Sequence, residues 1–191
     1  APDKVKELIK QTRTDDLQQG IRICQERSVK HPNYPLILQH LVNSLGERLG
    51  FKVIFGEFKQ GPDGIWKHGD SVIVVECKTS SFYFNPEEIK KFIDSEKATS
   101  GLVVSSEFSR DKVAAVKGGY SQIRLLTTDG LCKLVKLREQ YQIPMDHIVG
   151  IIVPQESVQL DELIELVYSI TEAAGQQERR TTAPTPTEDL L

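Results

Sequence analysis

The clearest helical stripe in the chain runs from about Leu36 to Leu49. There Leu38, Leu41, Val42, Leu45 and Leu49 recur at three- and four-residue intervals, and Gly50 stands where a left-handed C-cap is expected. Leu17, Ile21 and Cys24 repeat the spacing over 15–28, with Thr14 placed to cap, and a shorter helix is predicted over 3–12. His31-Pro32-Asn33-Tyr34-Pro35 breaks the pattern between them. Phe51–Phe58 alternates as a strand, and Gly61-Pro62-Asp63-Gly64 reads as a turn. Ser71–Lys78 is a nearly continuous β-branched run, the mark of a strand covered on both faces and so of a central place in a mixed sheet.

Beyond that run, Asn85-Pro86-Glu87 starts a helix to about Lys97, with Asn85 as cap and Pro86 at the first helical position. Leu102–Ser105 and Ile123–Leu126 are predicted strands, each followed by a helix, over Ser109–Lys117 and Asp129–Gln140. Ile148–Val153 is expected as a last strand or a core loop, and Leu160–Glu172 as a helix. Helices alternating with strands predict an α/β domain, a mixed central sheet flanked by helices. The divisions expected are a helical extension over 1–31, the main domain over 32–173, and a disordered tail or linker over 174–191, where Gln, Glu, Arg, Thr and Pro dominate.

At 191 residues, with 39% hydrophobic and 27% charged positions, the chain can build one core and is not disordered throughout. No apolar stretch approaches the roughly 18 residues of a membrane span. No basic segment followed by an apolar one opens the chain, and the three cysteines are odd in number and far apart, so the cytoplasm is the expected compartment. An initial alanine fits a trimmed initiator or a fragment equally well. The net charge of −3 is unevenly spread: residues 155–191 hold eight acids against two bases, whereas Arg110 to Arg138 hold seven bases against two acids. That basic stretch reads either as a phosphate-facing surface or as a solvated helix face.

The stretch that carries chemistry is Pro62-Asp63-Gly64 followed by Val72-Ile73-Val74-Val75-Glu76-Cys77-Lys78. Side chains at i and i+2 of a strand share a face, so Glu76 and Lys78 point one way and Cys77 into the opposite layer. A hairpin between 63 and 78 would bring Asp63 beside Glu76. Two converging carboxylates favour a hard divalent cation with oxygen ligands, and a neighbouring lysine can orient or help deprotonate water. Asp70, in the Lys67–Ser71 turn, is the second-ranked acidic ligand. Cys77 faces the core, where a thiol behaves as a small hydrophobe rather than a nucleophile. His31, His40, His68 and His147 lack metal-ligand spacing, Ser105, Ser106 and Ser109 form no hydrolase elbow, and no Gly-rich phosphate loop is present.

Asp63 in its Pro-Asp-Gly context with Glu76-Cys77-Lys78 resembles the PD-(D/E)XK nuclease superfamily. Gly101–Ser109, the helix after it, and Ile123–Leu131 are similar to Mrr-type and type IIS restriction cleavage domains, so the resemblance spans roughly residues 34–140. It implies a restriction-endonuclease-like fold and Mg2+, replaceable by Mn2+, held by Asp63, Glu76 and the backbone carbonyl of Cys77. Lys78 is then expected to position the attacking water. The implied substrate is double-stranded DNA, and cutting both strands implies a homodimer or a recognition subunit or domain. Many relatives carry a glutamate in the first core helix, where this chain has Gln39 and His40, with Glu47 on the side opposite Leu38. One- and two-metal mechanisms therefore both stay open. Lys90, Lys91 and Arg110 are candidate phosphate contacts, Arg110 beside a helix N-terminus. The alternatives are a non-catalytic DNA-binding or assembly module of the same fold, and a structure-selective junction resolvase.

Overall fold

A computed structural model describes residues 2–27, 32–57, 60–80, 84–153 and 159–181. Three helices open it, α1 (Pro2–Gln11), α2 (Thr14–Arg27) and α3 (Tyr34–Leu49), followed by strands β1 (Lys52–Glu57), β2 (Gln60–His68) and β3 (Ser71–Cys77). Then come α4 (Pro86–Glu96), β4 (Ser100–Ser105), α5 (Arg110–Gly119), β5 (Ile123–Thr127), α6 (Thr128–Tyr141), α7 (Met145–Ile152) and α8 (Asp161–Thr181). The sheet order is β1-β2-β3-β4-β5. β3 is its centre, antiparallel to β2 and parallel to β4, so the sheet is mixed as the β-branched run predicts.

The two faces of the sheet bury separate apolar clusters. Ile73, Val75, Leu102, Val104 and Leu126 pack with Leu38, Leu45 and Leu49 of α3, Leu131 and Leu134 of α6, and Ile148 and Ile152 of α7. Val74, Val103, Ile123 and Leu125 face Ile89 and Ile93 of α4 and Val116 of α5. The caps form as the sequence predicts: Gly50 ends α3 at φ +105°, and the Asn85 side chain accepts from the Glu87 N–H.

Several expectations are corrected. Gly61-Pro62-Asp63-Gly64 is not a turn but part of β2, because these residues form an irregular bulge. Between the pairs Phe55↔Gly64 and Glu57↔Gln60, the three residues Gly61, Pro62 and Asp63 stand against the single Gly56. Proline lacks a ladder N–H and is accommodated at such a bulge. Residues 148–152 are helical, not a strand or loop: α7 starts after Pro144, and Ile148 and Ile152, four apart, are both fully buried. α8 runs eight residues into the segment expected to be a tail, through Ala173 and Ala174, both strong helix formers. Residues 182–191 lie outside the described residues, as does Phe58. Thr14 is the first residue of α2 rather than its cap, and its hydroxyl donates to the Glu139 carboxylate at 2.8 Å and accepts from Arg48. The apolar stripe of α2, by contrast, forms as predicted, with Leu17, Ile21 and Cys24 buried in the same cluster as α3 and α6.

Candidate active site

The site forms where β2 and β3 run side by side beyond the pair Gly64↔Val75, a register that sets Asp63 opposite Glu76. Glu76 follows Val74 on the face covered by α4, and Cys77 turns to the other face and packs against the α3-side cluster. The Cys77 backbone N–H donates to Asp63 Oδ2 at 2.7 Å, and Lys78 Nζ donates to Glu76 Oε1 at 2.5 Å. Only 8% of the Glu76 side chain is exposed, and its second oxygen, Oε2, is buried without a hydrogen-bond partner. A buried carboxylate oxygen left unpaired is costly unless a proton or a cation meets it.

The electrostatics follow from this crowding. Burial, reinforced by the charge of Asp63 and opposed by Lys78, pushes the Glu76 carboxyl up to about 7. Burial also raises the Asp63 carboxyl, although the Cys77 N–H and Lys78 act to hold it down. Desolvation pulls the Lys78 ammonium downward, but Glu76, Asp63 and Glu88 outweigh it and its pKa rises, so the lysine stays charged. Glu88, in the first turn of α4, adds negative potential at all three groups and was not singled out from the sequence. Burial raises the Cys77 thiol well above its ordinary value, which fits a packing role and not a nucleophile.

The donor set is oxygen-rich and short of positive charge, which suits a small hard cation. Asp63 and Glu76 Oε2 are the side-chain oxygens available to one. Among the described residues, no group of three or more His, Cys, Asp or Glu side chains is placed to hold a metal ion.

Gln39 also reaches the site, though not as an acid would. Its Nε2 donates to the backbone carbonyls of Asp63 at 2.7 Å and Gly56 at 3.2 Å. Asn43, one helical turn on and missed in the sequence, donates from Nδ2 to the same Asp63 carbonyl at 2.8 Å, while its Oδ1 accepts from Trp66 Nε1 at 2.8 Å. Its four-residue spacing from Gln39, which puts both side chains on one face of α3, was the available signal.

Other candidates lie elsewhere. Asp70 is in the β2–β3 turn, at the far end of the hairpin from Glu76. Lys90 pairs with Asp94 at 3.1 Å, Lys91 is exposed on the same helix, and Arg110 is exposed at the start of α5. The basic stretch is not one surface: Arg124 is buried, Lys133 pairs with Glu165, and Lys136 pairs with Asp15. His68 approaches Asp146 at 3.4 Å, His40 lies against Phe55, His147 is exposed, and His31 falls outside the described residues. Ser105 is buried, Ser106 donates to the Thr79 carbonyl, and Ser109 caps α5.

Residues 35–135 match the family described as restriction endonuclease. Among solved structures, the chain is similar to the small subunit of the heterodimeric restriction endonuclease R.BspD6I, with a TM-score of 0.58 and 13% identity. That alignment covers 86% of this chain and 98% of the other. No curated protein sequence matches. None of the helices in the described residues is long and apolar enough to cross a membrane.

Proposed function

Because this chain belongs to the restriction endonuclease family, we propose that it is a Mg2+-dependent endodeoxyribonuclease, the catalytic domain or subunit of a restriction system. The observation that carries the reading is the convergence of Asp63 and Glu76 at one end of the central strands, with Glu76 Oε2 buried and unpaired beside a charged Lys78. Asp63 and Glu76 would hold the ion, with the Cys77 backbone carbonyl as a further ligand. Bound there, a divalent cation polarises the scissile phosphate and acidifies water. Mn2+ should substitute, since it accepts the same oxygen ligands.

The chain's own groups divide the remaining work. Asp63 is oriented by the Cys77 N–H, so its free oxygen is directed rather than mobile. Lys78, kept protonated by Glu76 and Asp63, aligns the attacking water and offsets charge building on the phosphate. Lys90, Lys91 and Arg110 are proposed to touch the DNA backbone from the exposed sides of α4 and α5. Double-strand cleavage needs two such centres, which a homodimer or a partner recognition subunit would supply. We take 32–173 as the main unit and 1–31 as a helical extension of it, and three free thiols fit action in a reducing cytoplasm.

The second reading is a non-catalytic DNA-binding or assembly module, favoured by the amide of Gln39 where relatives carry an acid. Supercoiled plasmid incubated with Mg2+, beside Lys78→Ala and an EDTA control, separates the two. Nicking or linearisation by the wild type alone supports the nuclease, and preference for branched over linear DNA would make it a junction resolvase. Absence of both cleavage and Mg2+ binding would leave the non-catalytic module standing.

A further inference from the structure

Asp63 is anchored at both ends, and α3 supplies one of the anchors. Its carboxylate is tied to β3 by the Cys77 N–H, and its backbone carbonyl takes two hydrogen bonds from α3, from Gln39 Nε2 at 2.7 Å and Asn43 Nδ2 at 2.8 Å. Two donors fill both lone pairs of that oxygen. The orientation of each amide is forced by its neighbours. The Trp66 indole N–H can only donate, so it fixes Asn43 Oδ1 toward itself and Nδ2 toward Asp63. Gln39 faces two carbonyl oxygens, those of Asp63 and Gly56, and must present its NH2 group.

The backbone is shaped to admit this arrangement. A Cβ at Gly64 would lie 2.0 Å from Asn43 Oδ1, one at Gly46 would lie 2.4 Å from the Trp66 ring, and one at Gly56 would lie 2.0 Å from the Pro62 carbonyl. Gln39 and Asn43 are themselves 3% and 0% exposed, so their polar groups are committed to these partners in a site without competing water. The clamp sits on the bulge Gly61–Asp63, where the strand ladder alone leaves the backbone under-determined.

We infer that Gln39 and Asn43 are positioning residues for Asp63, so that α3 contributes a donor clamp on the backbone of the metal-binding carboxylate rather than an acidic ligand. The inference rests on the metal site proposed above. It has a direct corollary for Gln39→Glu: a carboxylate there would face the Asp63 and Gly56 carbonyl oxygens, so restoring the acid should damage the site instead of completing it.

The test uses the full chain in three variants. Gln39→Met keeps the side-chain volume without donors, Asn43→Asp keeps an acceptor for Trp66 Nε1 but loses the donor to Asp63, and Gln39→Glu introduces the acid. Ile21→Val, in the core of α2 away from the site, serves as a control for simple loss of stability. Two quantities are read: the NMR shift and hydrogen exchange of the Cys77 amide in metal-free protein, and Mg2+ affinity by calorimetry. The clamp predicts that Gln39→Met and Asn43→Asp move the Cys77 amide and weaken Mg2+ binding roughly 10-fold, as loss of an orienting contact around a metal ligand typically does. The control should change neither. A Cys77 amide unmoved by both variants, with Mg2+ affinity intact, would overturn the inference, and so would tighter Mg2+ binding by Gln39→Glu. If the wild type binds no Mg2+, the proposed metal site fails, and the Cys77 amide alone then decides whether the clamp positions Asp63.

Discussion

The Cys77 backbone N–H donates to Asp63 Oδ2 at 2.7 Å, so the strand that carries Glu76 also holds the second carboxylate of the pair. Each acid is thereby fixed to β3, one through the covalent chain and one through a charge-assisted hydrogen bond. Neither carboxylate can turn away from the other without giving up a partner.

Asp63→Asn preserves an oxygen to accept from the Cys77 N–H and removes one negative charge. The fold should survive, while Mg2+ binding is lost and cleavage falls by at least about 100-fold, equivalent to about 2.7 kcal/mol of barrier. Calorimetry and single-turnover cleavage on a linear duplex check both. Cleavage at the wild-type rate would remove Asp63 from the site.

Glu76 makes the metal-free protein sensitive to pH in a definite direction. Its carboxyl is raised from 4.5 to about 7 in the fold, so the folded state binds its proton more tightly than the unfolded chain does. The stability from this group is fully present below about pH 4.5 and is lost as pH rises through about 7, a change of about 3 kcal/mol. Asp63, also raised by burial, acts in the same sense. Urea unfolding of metal-free protein at pH 5 and pH 7.5 should show the decline, and Glu76→Gln should flatten it. Equal slopes in the two proteins would show that Glu76 is not the strained group.

Gly64→Ala tests the closeness of α3 to β2. The new methyl would lie 2.0 Å from Asn43 Oδ1, and the backbone or Asn43 must move, at a cost of about 2–3 kcal/mol. Gly118→Ala, exposed in α5 with nothing within 4 Å of its Cβ, should instead stabilise by about 0.5–1 kcal/mol. Thermal midpoints of the two variants should move in opposite directions.

The first two helices are tested by the apolar face of α2. Leu17 and Ile21 are 2% and 1% exposed within the α3–α6 cluster, so Leu17→Ala or Ile21→Ala should each destabilise by about 2–4 kcal/mol. A chain begun at residue 32 should lose cooperative unfolding, because it would expose that face of α3 and α6. Cooperative unfolding of the shortened chain at an unchanged midpoint would make α1 and α2 a dispensable extension.

Short-range periodicity was enough to read the stripe of α3, the buried run of β3, and the caps at Asn85 and Gly50, because each depends on neighbours within about four residues. The common face of Glu76 and Lys78 follows from the same two-residue repeat. Asp63 was legible as a residue but not as an element. Gly-Pro-Asp-Gly is turn chemistry by local rules, and only the pairing with β1 and β3 makes it a bulge inside β2. The apolar stretch at 148–152 fits strand and helix equally by period, and the choice fell to packing after Pro144. Thr14 has the side chain of a cap, yet Glu139, 125 residues away, takes its hydroxyl. The sequence by itself determined which strand is central and which acid and lysine share its face. The tertiary structure alone decided that Asp63 reaches them from a bulge inside β2, that Gln39 and Asn43 close on its carbonyl, and that Glu76 Oε2 is left without a partner. The physical reason is that strand register, close helix–strand approach and burial are set by residues far apart in the chain, which no local period encodes.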